Sequence, residues 1–245
     1  MRFFLRLAYR GTHYSGWQVQ PNALSVQEVI NKQLSLLLRS EIETVGCGRT
    51  DTGVHARDFY LHFDFKSLPF APQDVVYKLN GMLPDDIAVY EVIEVPAEAH
   101  ARFDATNRGY EYHLHTVKNP FIQGLSAFVR YNLDLELMNK ACELLLRTSD
   151  FAAFCKSGSD VHTTLCEVRK AQWTRTEQGM VFEIEANRFL RNMVRAIVGT
   201  MIDLGRGHIS LEDFHAIVQS GERSKASASA DACGLFLTKV QYPFL

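Results

Sequence analysis

An α+β fold is what this sequence predicts, and three observations predict it. Short segments alternate apolar and polar residues with the period of a strand. Others carry helical periodicity behind Ser, Asp or Pro start signals. The order strand, helix, strand, strand, helix, strand then occurs twice, once on each side of the spacer HARFDATN at residues 100–107.

In the first half, RFFLRLAY (2–9) reads as a strand, and Ser25 with Glu28 forms a capping box before a helical run to about Arg39. A short strand is expected over 42–45. In DFYLHFDF (58–65), Phe59, Leu61, Phe63 and Phe65 share one face of the next strand. Pro72 suits the first turn of a second helix and Gly81 its C-terminal stop, after which IAVYEVIEV (87–95) closes the unit.

The second half repeats the order without repeating the sequence. RGYEYHLHTV (108–117) is a strand, DLELMNKACELLLRT (134–148) a helix, and residues 166–176 and 180–185 form a hairpin around Gln178-Gly179. A helix is expected from about Arg188, with Asn187 as its N-cap and Gly205 as its stop. Another runs from Ser210 to near Gly221, and GLFLTKVQY (234–242) is the last strand. A split βαβ unit of this order is ferredoxin-like. Two ferredoxin-like (βαββαβ) halves, 1–104 and 105–245, are therefore expected, with antiparallel sheets side by side and a central active-site cleft.

Composition narrows the class of function. Of 245 residues, 47% are apolar and 22% charged, which is ordinary for a globular chain. The opening residues are interrupted by Arg2, Arg6 and Arg10, leaving no signal-peptide core, and no stretch approaches a membrane span, so a cytoplasmic protein without a membrane partner is expected. Five widely spaced cysteines lacking a C-x-x-C fit reduced core thiols better than disulfides or zinc. The net charge of −2 does not advertise a nucleic-acid binder; it is −3 up to Asp104 and +1 beyond it. Clustering is more informative: from Asn187 to Ile202 there are three arginines (Arg188, Arg191, Arg195) and no acid.

The chemistry-bearing stretch is CGRTDTGVHA (47–56). Its threonines and glycines suit neither helix nor strand interiors, and Asp51 either caps its own turn or projects a carboxylate from a loop. Architecture alone does not choose between these.

GRTDTGVHA (48–56), GTHYSGWQVQPNALSVQE (11–28), ARFDATNRGYEYHL (101–114), FLRNMVRAIVG (189–199) and GLFLTKVQYP (234–243) together resemble the tRNA pseudouridine synthase A (TruA) family. The resemblance runs nearly end to end with its motifs in order. It implies an isomerase that breaks the C1′–N1 bond of a uridine in tRNA, turns the base and rejoins it through C5, without a cofactor or metal. Asp51 is then the catalytic carboxylate; whether it acts at C1′, at C6 or as a base stays open. Arg195, in Met193-Val194-Arg195, matches the arginine set against that aspartate. Tyr110 matches the catalytic tyrosine whose ring stacks on the base and whose hydroxyl is placed for proton transfer, and Leu235 the apolar residue on the base's other side. Arg49 is expected to help evict the uridine, Arg188 and Arg191 to meet phosphates on one helix face, and His55 and Arg102 to contact RNA; His55 equally suits a role in satisfying the loop's backbone. The family further implies uridines 38, 39 and 40 of the anticodon arm, and a homodimer. Two departures bear on contacts to the tRNA body: Cys155 and Lys156 stand after D-F-x-A-F where an arginine is usual, and ASASADAC lacks the usual proline.

Two other classes compete. A non-catalytic RNA-binding module would share the fold but leave GRTDTGVHA unexplained. A metal-dependent nuclease built on Asp51 and His55 would need converging carboxylates, and only Asp58 lies near in sequence.

Overall fold

The computed structural model describes residues 1–159 and 161–245. The fold is α+β, and the chain divides into two compact units, residues 1–106 with 236–245, and residues 107–235.

The first unit is built on β1 (Arg2–Tyr9), which lies between β3 (His55–Asp64) and β4 (Ile87–Val95), antiparallel to both. On the far side of β3, β2 (Val45–Gly46) pairs antiparallel and β9 (Leu235–Gln241) parallel, the latter through His55↔Phe236 and Ala56↔Leu237. Helices α1 (Val26–Leu38) and α2 (Pro72–Met82) contact each other, and α2 packs on β4. Leu5, Leu7, Phe59, Leu61 and Phe63 are buried on the face that the strand alternation marks, and Phe4 is buried on the opposite face. Beyond the strand's end, Phe65 is only half-buried.

Three local expectations are corrected here. The strand placed at 42–45 is reduced to Val45–Gly46, because α1 side chains take up the backbone before it. Ser35 Oγ accepts the Ile42 N–H (2.9 Å), Asn31 Oδ1 accepts the Thr44 N–H (3.2 Å), and Gln27 Nε2 donates to the Thr44 carbonyl (2.7 Å). Next, β3 begins at His55, not Asp58. Gly81 also does not end α2: the helix continues to Met82 and breaks at Leu83 (φ −80°, ψ 151°), since the residue before Pro84 is driven out of the helical region.

The second unit carries the antiparallel order β5 (Asn107–His115), β8 (Gly179–Ala186), β7 (Val168–Thr176), with β6 (Ala127–Phe128) parallel to β5. Thr176 pairs with Gly179, so the hairpin turn is Glu177-Gln178 and Gly179 opens β8. Helices α3 (Leu135–Arg147), α4 (Met193–Gly205) and α5 (Leu211–Ser220) pack together, with α3 also on β7. Asp134 caps α3 through the Leu137 N–H. Ser210 and Asp213 form a reciprocal box on α5, which Gly221 closes at φ +65°.

The helix expected from Arg188 begins five residues later. Asn187 is not its cap, because its Oδ1 accepts the Glu167 N–H (2.9 Å) and its N–H donates to the Glu167 carbonyl (3.1 Å), extending the β7–β8 pairing. The cap position falls to Asn192 in left-handed conformation (φ 65°), and Gly205 is the last helical residue, followed by Arg206. Arg188 and Arg191 thus lie on an irregular segment before α4, not on the same helix face as Arg195.

Candidate active site

Residues 47–54 join β2 to β3 in the first unit, and their shape is set by segment 11–17 packed against them. Thr50 is anchored twice: its hydroxyl bonds to the buried Tyr9 hydroxyl (2.9 Å), and its carbonyl accepts the Trp17 N–H (3.3 Å). After Asp51 the chain turns, with the Val54 N–H on the Asp51 carbonyl (3.1 Å), Gly53 at φ +79°, and the Gly53 N–H on the Tyr14 carbonyl (3.4 Å). Asp51, half-buried, is therefore held from both sides. Two glycines permit the approach: a Cβ on Gly16 (φ +85°) would sit 2.3 Å from the Thr50 carbonyl oxygen, and one on Gly11 2.0 Å from that of Val54. This explains physically why GTHYSGW and GRTDTGV accompany each other in the sequence.

Arg49 is exposed on the same loop. His55 opens β3 and is 1% exposed; its Nδ1 accepts the Gly11 N–H (3.0 Å), and its ring stacks on Phe236 (4.5 Å). That N–H requires an unprotonated Nδ1. Arg57, which the sequence did not single out, lays its guanidinium over the Phe236 ring at 4.7 Å. Arg102 is exposed in the turn 100–104, with its guanidinium 5.6 Å from the ring of exposed Phe103. His100 Nδ1 accepts the Arg102 and Phe103 amides (3.1 and 3.2 Å) and shapes that turn.

In the second unit, Tyr110 lies half-buried on β5 with its ring edge-to-face against Phe189 (5.0 Å, 89°). Tyr112, two residues on, is wholly buried; its hydroxyl donates to the Asp231 carbonyl (2.7 Å), and burial pushes its pKa upward. The two tyrosines share a strand face but not an environment. Arg195, in the first turn of α4, gives its Nε to the Ala230 carbonyl (2.8 Å), while its own carbonyl accepts the Ala230 N–H (2.9 Å). Leu235 is 6% exposed and follows the turn 232–234, which packs on β5 and β6.

Before α4, Arg188 is half-buried and Arg191 exposed; the Arg191 carbonyl accepts the N–H of exposed Lys156 (3.0 Å). The backbones of Lys156 and Arg191 are thus adjacent. Cys155 is buried beside Lys156.

Asp58, the second carboxylate a nuclease would recruit, is already bonded to Arg6 Nε (2.7 Å) and to the Val240 N–H (3.3 Å). Among the described residues there is no group of three or more His, Cys, Asp or Glu able to hold a metal ion. Nor is any helix among them long and apolar enough to cross a membrane.

Comparison with known proteins adds a family match and three similar relatives. Residues 7–104 and 141–243 match the family described as tRNA pseudouridine synthase. The chain is 48% identical over 243 residues to a tRNA pseudouridine synthase A of Bacteroides fragilis, covering 99% of this chain and 96% of that protein. Its counterpart in Porphyromonas gingivalis is 47% identical over 245 residues (99% and 97%), and one from a Thermoanaerobacter species 40% identical over 237 (96% and 96%).

Proposed function

We propose, from the premise that this chain belongs to the tRNA pseudouridine synthase family, that it isomerises uridine to pseudouridine in tRNA. The observation that carries the reading is the 47–54 loop, in which the one carboxylate of GRTDTGVHA is fastened on both sides by Thr50 and Gly53. Isomerisation breaks C1′–N1, turns the uracil, forms C1′–C5 and releases the C5 hydrogen as a proton. N1, freed from the sugar, takes up a proton in its place, so the mass is unchanged.

The roles proposed for the side chains are those that membership of the family implies. Asp51 supplies the ionised oxygen at the sugar–base junction. Arg195 opposes it electrostatically and keeps it charged as water is excluded. Tyr110 stacks on the base with Leu235 on its other side. Arg49 helps displace the uridine from its stack, and Arg102, Arg188 and Arg191 meet RNA phosphates. For His55, burial and the bond to Gly11 favour support of the loop over contact with RNA.

The same proposal extends to two ferredoxin-like domains, 1–104 and 105–245. For the first, the order β4-β1-β3 with β2 on β3 supports it. The target uridines are positions 38, 39 and 40 of the anticodon arm, in the cytoplasm, and the working form is a homodimer. A net charge of −2 leaves one subunit little basic surface for both the body and the arm of a tRNA.

Incubation with an unmodified tRNA transcript tests the reading. Digestion should yield a nucleoside with the mass of uridine and the chromatographic behaviour of pseudouridine, mapped to 38–40. Tight binding without any such product would make the protein an RNA-binding module instead. A fully active strict monomer would remove the homodimer.

A further inference from the structure

The segment between α5 and the last strand has a structural role its composition does not suggest. Residues 226–230 (ASASA) belong to no helix or strand and are held by hydrogen bonds to residues around them. Arg223, half-buried just after the Gly221 cap of α5, supplies three of those bonds. Its Nη1 donates to the carbonyls of Ala226 (3.1 Å) and Ser227 (3.0 Å), and its Nη2 to Ser229 Oγ (3.0 Å).

The segment is tied along α4, from Asn192 to Thr200, by further contacts. Ser229 Oγ also accepts from Asn192 Nδ2 (2.6 Å), the left-handed residue that begins the helix. The Ser227 N–H donates to Thr200 Oγ1 (3.2 Å). Ala228 lies so close to α4 that a Cβ on Gly199 would stand 1.9 Å from its carbonyl oxygen. At the segment's end, Ala230 exchanges two hydrogen bonds with Arg195: backbone N–H to carbonyl (2.9 Å), and side-chain Nε to carbonyl (2.8 Å).

We propose that Arg223 is a positioning residue for the reaction: it clamps the 226–230 strap so that the Ala230 carbonyl sets the orientation of the Arg195 guanidinium. A planar guanidinium with several donors in fixed directions can serve three acceptors at once, which a lysine ammonium on a flexible stem cannot reproduce. A guanidinium held at Nε by one carbonyl has its plane fixed, and a misplacement of about 1 Å near a reacting centre costs about 100-fold in rate. The inference rests on the role proposed for Arg195.

The test is a double-mutant cycle in turnover at saturating tRNA, using Arg195→Ala, Arg223→Ala and the pair. Arg223→Ala should lower kcat by about tenfold or more with KM for tRNA unchanged within about twofold, and should cause no further loss in the Arg195→Ala background. Arg223→Lys should recover only part of the loss. If Arg223→Ala does not fold, Arg223→Lys and Ser229→Ala take its place in the same cycle. An equal loss in both backgrounds, or a change confined to KM, overturns the clamp. If Arg195→Ala alone keeps wild-type turnover, the role of Arg195 falls first and the clamp with it, an outcome distinct from additivity.

Discussion

Gly16→Ala is the sharpest perturbation of the loop that carries Asp51, because it replaces neither Asp51 nor any residue proposed to meet RNA yet presses on the Thr50–Asp51 backbone. Gly16 has φ +85°, and alanine there costs about 1–2 kcal/mol in backbone conformation. Its Cβ would also lie 2.3 Å from the Thr50 carbonyl oxygen, about 1 Å inside ordinary contact, and that oxygen is backbone that cannot rotate away. The contact between the Gly16 segment and the Thr50–Asp51 backbone must therefore open, loosening the hold on Asp51. For a chain of this size the stability loss should appear as a fall of about 2–8 °C in Tm. The loosening should appear as about 100-fold slower single-turnover pseudouridine formation, with tRNA affinity changed by less than about threefold. Gly48→Ala is the control. Its Cβ would meet nothing within 4 Å and its φ is not left-handed, so stability should change by less than about 0.5 kcal/mol. Wild-type turnover in Gly16→Ala, whatever its Tm, would refute the argument that segment 11–17 places the carboxylate.

Arg191→Ala should leave saturated turnover unchanged and make the slope of log Kd against log salt shallower by about one, as for the loss of one phosphate contact; an unchanged slope removes Arg191 from the RNA surface. His62 predicts a pH dependence of stability. It is 5% exposed, its Nδ1 accepts the Ala101 N–H (3.1 Å), and burial, aided by Arg2 and His100, holds its pKa down at about 4. The folded value lies below the unfolded one, so this stability is present above about pH 6.5 and is lost as pH falls toward 4, by about 2–3 kcal/mol at most. The urea midpoint should drop over that range in the wild type and drop less in His62→Gln; equal drops would contradict it.

Periodic elements were legible because their signals are local: the alternation of 2–9 and 87–95, Asp134 before α3, and Ser210 with Gly221 around α5 all stand where the residues place them. Errors arose where a distant partner outcompeted a local signal. Asn187 reads as a helix cap, but the Glu167 backbone claims both its groups, so α4 waits for Asn192. Gly81 reads as a stop, yet the stop is Pro84 acting on Leu83. For the site, residue identities were readable from GRTDTGVHA and the motifs around it. Its supports were not: the approach of Gly11 and Gly16 to the loop joins residues some 40 apart in sequence, and the hold of Arg223 on a featureless ASASA run has no periodic signature.

The central claim is that Asp51 performs the chemistry, and release of tritium from C5-labelled uridine in tRNA by Asp51→Asn tests it most directly, since C5 must lose its hydrogen on becoming the glycosidic carbon. The substitution keeps the side chain's shape and leaves the Thr50, Gly53 and Val54 backbone bonds in place. The variant should melt within a few degrees of wild type, bind tRNA within about tenfold, or about 1.4 kcal/mol, and release no tritium. Release at a rate near wild type would return Asp51 to the role of a turn residue and take the catalytic assignment with it.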